Sequence, residues 1–302
     1  MSKENQLPIG YFSLICATAF WGGNFVLGKL LSNAVPPVTL TFLRWFPALL
    51  ILLCLFFRQT LQSWHSLKSS LGVMWLLGIL GVVIFPASLY QGLQQTSALN
   101  ASLYLAVVPV LVLLLNLLVF KESIKPIILL GAVLSLIGVT WLLSRGEWQR
   151  LLHLELNYGD LWAILSAMSW AIYCCVIRFK PHNISNTVFL TALVGLAVLN
   201  LLPFFIYELY QESVKLLPNL TISQWSGIAY LIIGPSILSY AFWNYGITIV
   251  GNAKGAVMTN FTPLFAAIFS ILFLGESIQS FHVISTVFIC VGVLICSYKK
   301  LS

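Results

Sequence analysis

The residues of this chain that could bind a small molecule are aromatic and neutral polar side chains within long apolar stretches. In residues 234–248, Tyr240, Trp243 and Asn244 recur at the helical spacing i, i+3, i+4 and therefore share one helix face. Pro235 precedes them and removes an internal helix hydrogen bond. A polar, aromatic face beside such a break favours a solute-binding wall. The alternative is ordinary helix packing, because proline is frequent in membrane helices.

Charged side chains offer no catalytic centre. All eight Asp and Glu residues lie in loops or at helix ends, so a buried carboxylate that exchanges protons for cations has no candidate. The four histidines are scattered, the H-E-x-x-H pattern is absent, and the six cysteines lie inside apolar stretches. The sequence therefore predicts no catalytic residues, no metal site, no disulfide framework and no cofactor.

The composition is that of an integral membrane protein. Charged residues make up 8% of the chain and hydrophobic residues 60%, whereas a soluble domain is about 25% charged. The net charge of +7 would suggest nucleic acid in a soluble protein, but here it is explained by Lys and Arg at the cytoplasmic membrane surface. The predicted partners are a lipid bilayer and a small-molecule substrate, and not nucleic acid.

Ten apolar stretches approach the roughly 20 residues that a bilayer crossing needs. They are residues 9–31, 38–57, 71–93, 97–120, 126–143, 159–179, 187–207, 224–249, 253–274 and 280–297. The predicted fold is all-α with ten transmembrane helices. Most Lys and Arg fall on one side of the membrane if both termini are cytoplasmic, which predicts that orientation in an inner or plasma membrane.

The second half of the chain repeats the first. Matching residues are Pro109 and Pro263, Gly92 and Gly246, Gly138 and Gly292, and Trp21 and Trp170. We therefore predict a single membrane domain, residues 1–302, with repeats at 9–143 and 159–298 and a connecting loop at 144–158. Because each repeat has five helices, the second enters the membrane from the opposite side. Such inverted repeats bind substrate near the midplane, between the repeats.

These repeats carry the motifs of a known family. The stretch A-F-W-G-G-N-F-V at residues 19–26, followed by Lys29 and Arg44, resembles the opening signature of EamA-type transporters of the drug/metabolite transporter superfamily. Residues 109–122 and 263–276 resemble the closing signature of each EamA repeat. The resemblance covers residues 10–297. It implies ten helices in two inverted repeats and export of small metabolites, above all amino acids.

The candidate site residues follow from their depth in the apolar stretches. The predicted lining of a substrate cavity is Trp21, Tyr90, Tyr104, Trp170, Tyr173, Tyr240, Trp243, Asn244 and Asn260. The predicted helix breaks are Pro86, Pro109, Pro235 and Pro263. Asn24 and Asn100 are interpreted as helix-packing residues. Lys29 and Arg44 are expected to reach the outer surface and bind C-terminal helix carbonyls, with contact to an anionic substrate group as the alternative.

The sequence thus predicts a secondary transporter that exports small neutral or zwitterionic metabolites by alternating access. One alternative is an exchanger of phosphorylated sugars or organic anions, which would need a basic residue facing the cavity. A second alternative is a membrane enzyme or scaffold that transports nothing.

The charge distribution generates a test of orientation. A reporter enzyme that is active only in the periplasm should stay silent when it is fused after Ser302, and it should be active when inserted in the loop at residues 144–158. Strong periplasmic activity of the fusion at Ser302 would reverse the predicted orientation.

Overall fold

Helices make up all regular secondary structure in the part of the chain that the structure describes. The computed structural model describes residues 3–96, 101, 104–152, 157–181, 183–211, 220–274 and 277–297. The main helices of the first half are α1 (Lys3–Ser32), α2 (Pro37–Gln62), α3 (Leu71–Gly78), α4 (Phe85–Gln95), α5 (Val108–Leu118) and α6 (Pro126–Leu143). Those of the second half are α7 (Tyr158–Val176), α8 (Asn186–Tyr210), α9 (Ile222–Leu231), α10 (Ser239–Val250), α11 (Phe261–Leu274) and α12 (Ser280–Ser297).

Seven helical stretches are long and apolar enough to cross a membrane. They are Gln6–Ser32, Pro37–Gln62, Leu71–Gln95, Pro126–Leu143, Tyr158–Phe179, Asn186–Tyr210 and Ile222–Val250. Shorter apolar helices occupy Val108–Leu118 and Ser280–Cys296. The prediction of an all-helical, multi-pass membrane protein is therefore confirmed, whereas the exact number of ten spans is not. Residues 97–100 and 275–276, at the ends of two predicted spans, lie outside the described residues.

Two prolines shorten the helices that contain them. Pro109 lies in the first turn of α5. Pro263 is the third residue of α11, which directly follows a 3-10 helix at Met258–Asn260. A proline is tolerated in a first helical turn, because the amide hydrogen that it lacks would have no acceptor in the helix. In both predicted spans the change of helix direction or type therefore precedes the proline: a turn at residue 107 precedes α5, and an α-helix at Asn252–Val257 with a 3-10 helix at Met258–Asn260 precedes α11.

The other two prolines do not break their helices, so the predicted breaks at Pro86 and Pro235 are wrong. A π-helix at Ile79–Ile84 joins α3 to α4 immediately before Pro86. A second π-helix, Ile232–Leu238, contains Pro235 and joins α9 to α10. The wider turn of a π-helix accommodates the missing hydrogen bond without ending the helix. The two π-helices occupy matching positions, because their last residues, Ile84 and Leu238, are 154 residues apart.

The two halves pack against each other through matching contacts. Gly92 of α4 lies against Gly159 of α7, and Gly246 of α10 lies against Gly10 of α1. A Cβ on either Gly92 or Gly246 would be 2.9 Å from the facing carbonyl oxygen. Gly92 and Gly246 are 154 residues apart, and their partners Gly10 and Gly159 are 149 residues apart. The same two offsets relate the sequence motifs of the halves. Equivalent helices of the two halves therefore make equivalent contacts.

Helices α6 and α12, the last of each half, approach closely through small residues. A Cβ added to Gly292 would lie 2.6 Å from both the carbonyl oxygen of Gly131 and the amide nitrogen of Ser135. Both neighbours are backbone atoms, so the helices would have to separate to admit a side chain. Small residues at such a crossing let the backbones of membrane helices approach each other.

This crossing predicts a specific loss of stability. Gly292→Ala should lower the free energy of unfolding by about 1–3 kcal/mol, because overpacking forces backbone shifts. The measurement is the melting temperature of the purified protein in detergent. The control is Gly72→Ala in α3, since a Cβ at Gly72 meets nothing within 4 Å. Equal melting temperatures for the two variants would contradict the close crossing of α6 and α12.

Candidate functional site

Two equivalent tryptophans meet at the centre of the helix bundle. Trp21 of α1 and Trp170 of α7 are 149 residues apart, and their ring centroids lie 5.0 Å apart in an edge-to-face arrangement. Equivalent residues can touch only near the axis that relates the two halves, so this contact marks that axis. The rings of Tyr240 and Trp243 lie 5.8 and 5.2 Å from Trp21 and enlarge the aromatic cluster.

A small cavity lies beside these two tryptophans. Its lining is Trp21, Asn24, Phe25, Phe85, Leu105, Ala106, Val108, Trp170, Thr259, Thr262 and Pro263. The lining residues come from both halves of the chain, and most are apolar. The cavity volume is about 40 Å³, enough for a few water molecules at roughly 10–15 Å³ each. An amino acid does not fit in a cavity of this volume.

Of the nine predicted cavity residues, Trp21 and Trp170 line this cavity. Five others are completely buried behind its wall: Tyr90, Tyr173, Tyr240, Trp243 and Asn244. The expectation that these five side chains face the cavity is not met, because they pack between helices. The two asparagine–tyrosine contacts and the Tyr240 hydroxyl are hydrogen-bonded, whereas Trp243 packs against the rings of Trp21 and Trp170. Tyr104 is partly buried and packs against the apolar core.

Asn260 lies at the junction of a 3-10 helix with α11 and also points away from the cavity lining. Its Nδ2 donates to Ser135 Oγ of α6 at 2.8 Å. The amide therefore links two helices of different halves. Asn100, which was interpreted as a helix-packing residue of the fourth predicted span, lies outside the described residues.

Four polar residues at or behind the cavity wall form two equivalent hydrogen-bonded pairs. Tyr90 of α4 donates to Asn24 Oδ1 of α1 at 2.9 Å, and Tyr173 of α7 donates to Asn244 Oδ1 of α10 at 2.9 Å. Asn24 and Tyr173 are 149 residues apart, and Tyr90 and Asn244 are 154 apart. The two halves therefore make the same contact, with the tyrosine and the asparagine exchanged between the helices.

Tyr240 supplies a hydrogen bond that Pro86 removes. The amide of Phe85 donates to Leu80 O, and Pro86 has no amide hydrogen, so neither residue serves the carbonyl of Gly81. The Tyr240 hydroxyl donates to Gly81 O instead. An unsatisfied carbonyl inside a membrane protein costs several kcal/mol, so this contact stabilises the first π-helix.

The equivalent carbonyl of the second half is that of Pro235, 154 residues after Gly81. It accepts hydrogen bonds from Arg44 Nη2 at 3.1 Å and from Trp21 Nε1 at 3.2 Å. Arg44 Nε also donates to Ser236 Oγ at 2.5 Å. The second π-helix is thus held by α1 and α2, which lie about 200 residues earlier in the chain.

Arg44 is 1% exposed, so the expectation that it reaches the outer surface is wrong. Its Nη1 donates to Asn24 Oδ1 at 3.2 Å and to Tyr90 OH at 3.0 Å. Trp45 contributes a ring 5.0 Å from the guanidinium carbon. No acidic side chain is among its partners in the described part of the chain. A buried arginine in a membrane helix costs at least about 2.5–3.5 kcal/mol and usually has a function.

A lysine donates to backbone carbonyls of the third span in each half. Lys29 donates to Leu93 O at 2.5 Å and to Thr96 O at 3.4 Å, which is the predicted pairing with C-terminal helix carbonyls. Lys180, which follows α7, donates to Asn244 O of α10 at 3.4 Å. Burial lowers the pKa of the Lys180 ammonium to about 8.

Sequence reasoning missed the roles of Asn24 and Arg44. Asn24 was interpreted as a packing residue, yet it lines the cavity and accepts from Arg44. A signal was present, because an arginine seven residues into an apolar stretch with no acidic neighbour is costly unless it faces inward. Its partners at positions 235 and 236 are too distant in sequence to be predicted.

The hydrogen bond from Tyr240 generates a prediction. Tyr240→Phe should lower the free energy of unfolding by about 1–3 kcal/mol, because Gly81 O loses its donor while buried. Tyr245→Phe is the control, since Tyr245 lies on the same helix and is exposed. The measurement is the melting temperature in detergent. An unchanged value for Tyr240→Phe would show that another donor serves Gly81 O.

Apolar helices from both halves of the chain that line one cavity are typical of a multi-pass membrane protein with the architecture of repeat-built transporters. The sequence profile of the EamA-like transporter family matches residues 8–144 and 157–298. The chain therefore belongs to the EamA-like transporter family, as the motifs predicted.

Several relatives match nearly the whole chain. An uncharacterized transporter of Bacillus subtilis, YyaM, is 27% identical over 95% of this chain and 93% of its own. An uncharacterized transporter of Archaeoglobus fulgidus is 26% identical over 99% of both chains. A WAT1-related chloroplastic protein of Arabidopsis thaliana is 26% identical over 95% of this chain and 69% of its own. A crystal structure with 19% identity has the same fold, with a TM-score of 0.71 over 95% of this chain and 96% of that one.

Proposed function

We propose that this protein is a secondary transporter that exports small neutral or zwitterionic metabolites, above all amino acids or their derivatives. Membership of a transporter family supports transport. The observation that carries the proposal is the cavity on the axis between the halves, with Trp21 and Trp170 on its wall. Its apolar lining and few polar groups suit a small solute with an apolar side chain.

The proposed topology has ten helices in two inverted sets of five, in a bacterial-type inner membrane with both termini in the cytoplasm. The seven long spans support this topology, in which the shorter helices α5, α11 and α12 are the remaining three proposed crossings. The double match of the family profile and the equivalent contacts of the halves support two repeats. The odd number of helices in each repeat supports their inversion.

The two glycine contacts support alternating access. Gly246 meets α1 near its beginning, at Gly10, whereas Lys29 near the end of α1 meets the end of α4, close to Gly92. The contacts at Gly246 and Gly92 therefore lie at opposite ends of the bundle, and both are closed in this structure. Opening one contact at a time would expose the cavity to one side of the membrane. The two π-helices are the proposed flexible points.

The alternative of a phosphorylated-sugar or organic-anion exchanger needs cationic side chains on the cavity wall. Neither Arg44 nor Lys29 belongs to the lining, and both are bonded to backbone carbonyls. A doubly charged phosphate would also require more than one cation. A solute with two or more negative charges is therefore not favoured, whereas the single carboxylate of a zwitterion needs only one cation. A non-transporting enzyme or scaffold is not favoured, because the family is one of transporters.

The proposal is tested by a metabolite-efflux screen of cells with and without the expressed gene, followed by the same assay on Thr262→Val. Thr262 lines the cavity, and valine keeps its shape without the hydroxyl. Loss of one hydrogen bond to solute of about 1–1.5 kcal/mol should slow efflux roughly tenfold.

The control is Thr286→Val in α12, where the hydroxyl donates to His282 O of the same helix. This variant should export at the rate of the unaltered protein. No difference in any exported metabolite between expressing and non-expressing cells would reject the proposed function. Equal rates for both variants would place the solute away from Thr262.

A further inference from the structure

We propose that the guanidinium of Arg44 is the binding site for a carboxylate group of the transported solute, which reaches it from the cavity at Asn24. This inference rests on the proposed transport function and adds the chemical group that the site binds. It requires a solute with one anionic group, such as an amino acid or a hydroxy acid.

The first argument is the unneutralised charge of Arg44. A guanidinium has five N–H donors, and here four hydrogen bonds go to Asn24, Tyr90, Ser236 and the carbonyl of Pro235. Each of these acceptors is neutral. The charge is therefore buried with a spare donor and without a counter-ion among the described residues, which is the state that an anionic ligand would relieve.

The second argument is a comparison within the molecule. The carbonyl of Gly81, which is equivalent to that of Pro235, is satisfied by the neutral hydroxyl of Tyr240. Trp21 also donates to Pro235 O. A positive charge is thus not needed to hold a π-helix in this fold. Arg44 is the eighth residue of α2, and the eighth residue of α8 is the apolar Leu193, so the charge belongs to one half alone.

The third argument is access from the cavity. Asn24 Oδ1 accepts from both Arg44 Nη1 and Tyr90 OH, and Asn24 is itself part of the cavity lining. A carboxylate entering at Asn24 can replace the amide oxygen and receive the same two donors. The carboxylate would also bring the negative charge that the guanidinium lacks among the described residues, so the exchange favours the solute.

The test is a variant in which a side-chain carboxylate replaces the amide of Asn24. Asn24→Asp places a carboxylate beside Arg44 and Tyr90 in a side chain of nearly the same shape. We expect this variant to melt at a higher temperature than the unaltered protein, because the buried charge gains a counter-ion. We also expect it to bind carboxylate solutes about 10- to 100-fold more weakly, since the site is already occupied.

A matched control exists at a second arginine–asparagine contact, in which the arginine is half-buried. Asn116 Oδ1 accepts from Arg178 Nη2 at 2.6 Å, and Arg178 also pairs with Glu122. Asn116 is not part of the cavity lining. Asn116→Asp therefore makes the same chemical change beside an arginine that already has a counter-ion, and it should leave solute binding unchanged.

The binding assay is a thermal-shift titration of the full-length purified protein. The probes are leucine, threonine and phenylalanine, the amide of each, and the 2-hydroxy acid of each. The amide lacks the carboxylate, and the hydroxy acid retains it without the ammonium group. We expect stabilisation by the acids, none by the amides, and loss of the acid effect in Asn24→Asp but not in Asn116→Asp.

Three results would overturn the carboxylate site: equal stabilisation by acids and amides, undiminished binding of acids by Asn24→Asp, or no binding of any acid. The results also distinguish failure of the carboxylate site from failure of the proposed transport function. If hydroxy acids bind and amino acids do not, the carboxylate site stands and amino-acid export fails. If amides bind and are exported as well as the acids, transport stands and the carboxylate site fails.

Discussion

A backbone carbonyl without a donor in its own helix is the constraint on which the centre of this structure depends. Water cannot satisfy such a group inside a membrane protein, so another helix has to supply the donor. Gly81 O obtains it from Tyr240. The carbonyl of Pro235, in the equivalent position, accepts hydrogen bonds from Arg44 and Trp21. The donors come from distant parts of the chain. The same contacts that permit the two π-helices therefore also fix α1, α2 and α10 around the axis.

The exchange of residue types between the halves shows what the repeat preserves. A hydrogen bond needs one donor and one acceptor, and either helix can carry either group. Tyr90 with Asn24 and Tyr173 with Asn244 satisfy this requirement in opposite ways. Identical residues, by contrast, occur where geometry permits one solution, as at Gly92 and Gly246, whose Cβ would meet a backbone oxygen at 2.9 Å.

The sequence predicted the features that depend on composition and on matching motifs. These include the helical membrane class, the family and the correspondence of Trp21 with Trp170. It did not predict the outcome at Pro86 and Pro235, because a proline in an apolar helix is compatible with both a break and a π-helix. Nor did it predict the burial of Arg44, whose position near a helix end allows both an outward and an inward side chain. These outcomes depend on contacts between residues about 190 apart.

The difference between the two halves at the position of Arg44 has a thermodynamic consequence. If the two halves were identical, the forms open to either side of the membrane would have equal free energy and the empty protein would divide evenly between them. Leu193 occupies the position of the second half that matches Arg44, so under the proposed alternating access that equality would be lost and one form would predominate at rest. Unequal populations would then give the protein different apparent affinities on its two sides, because binding on the rarer side includes the free energy of reaching that form.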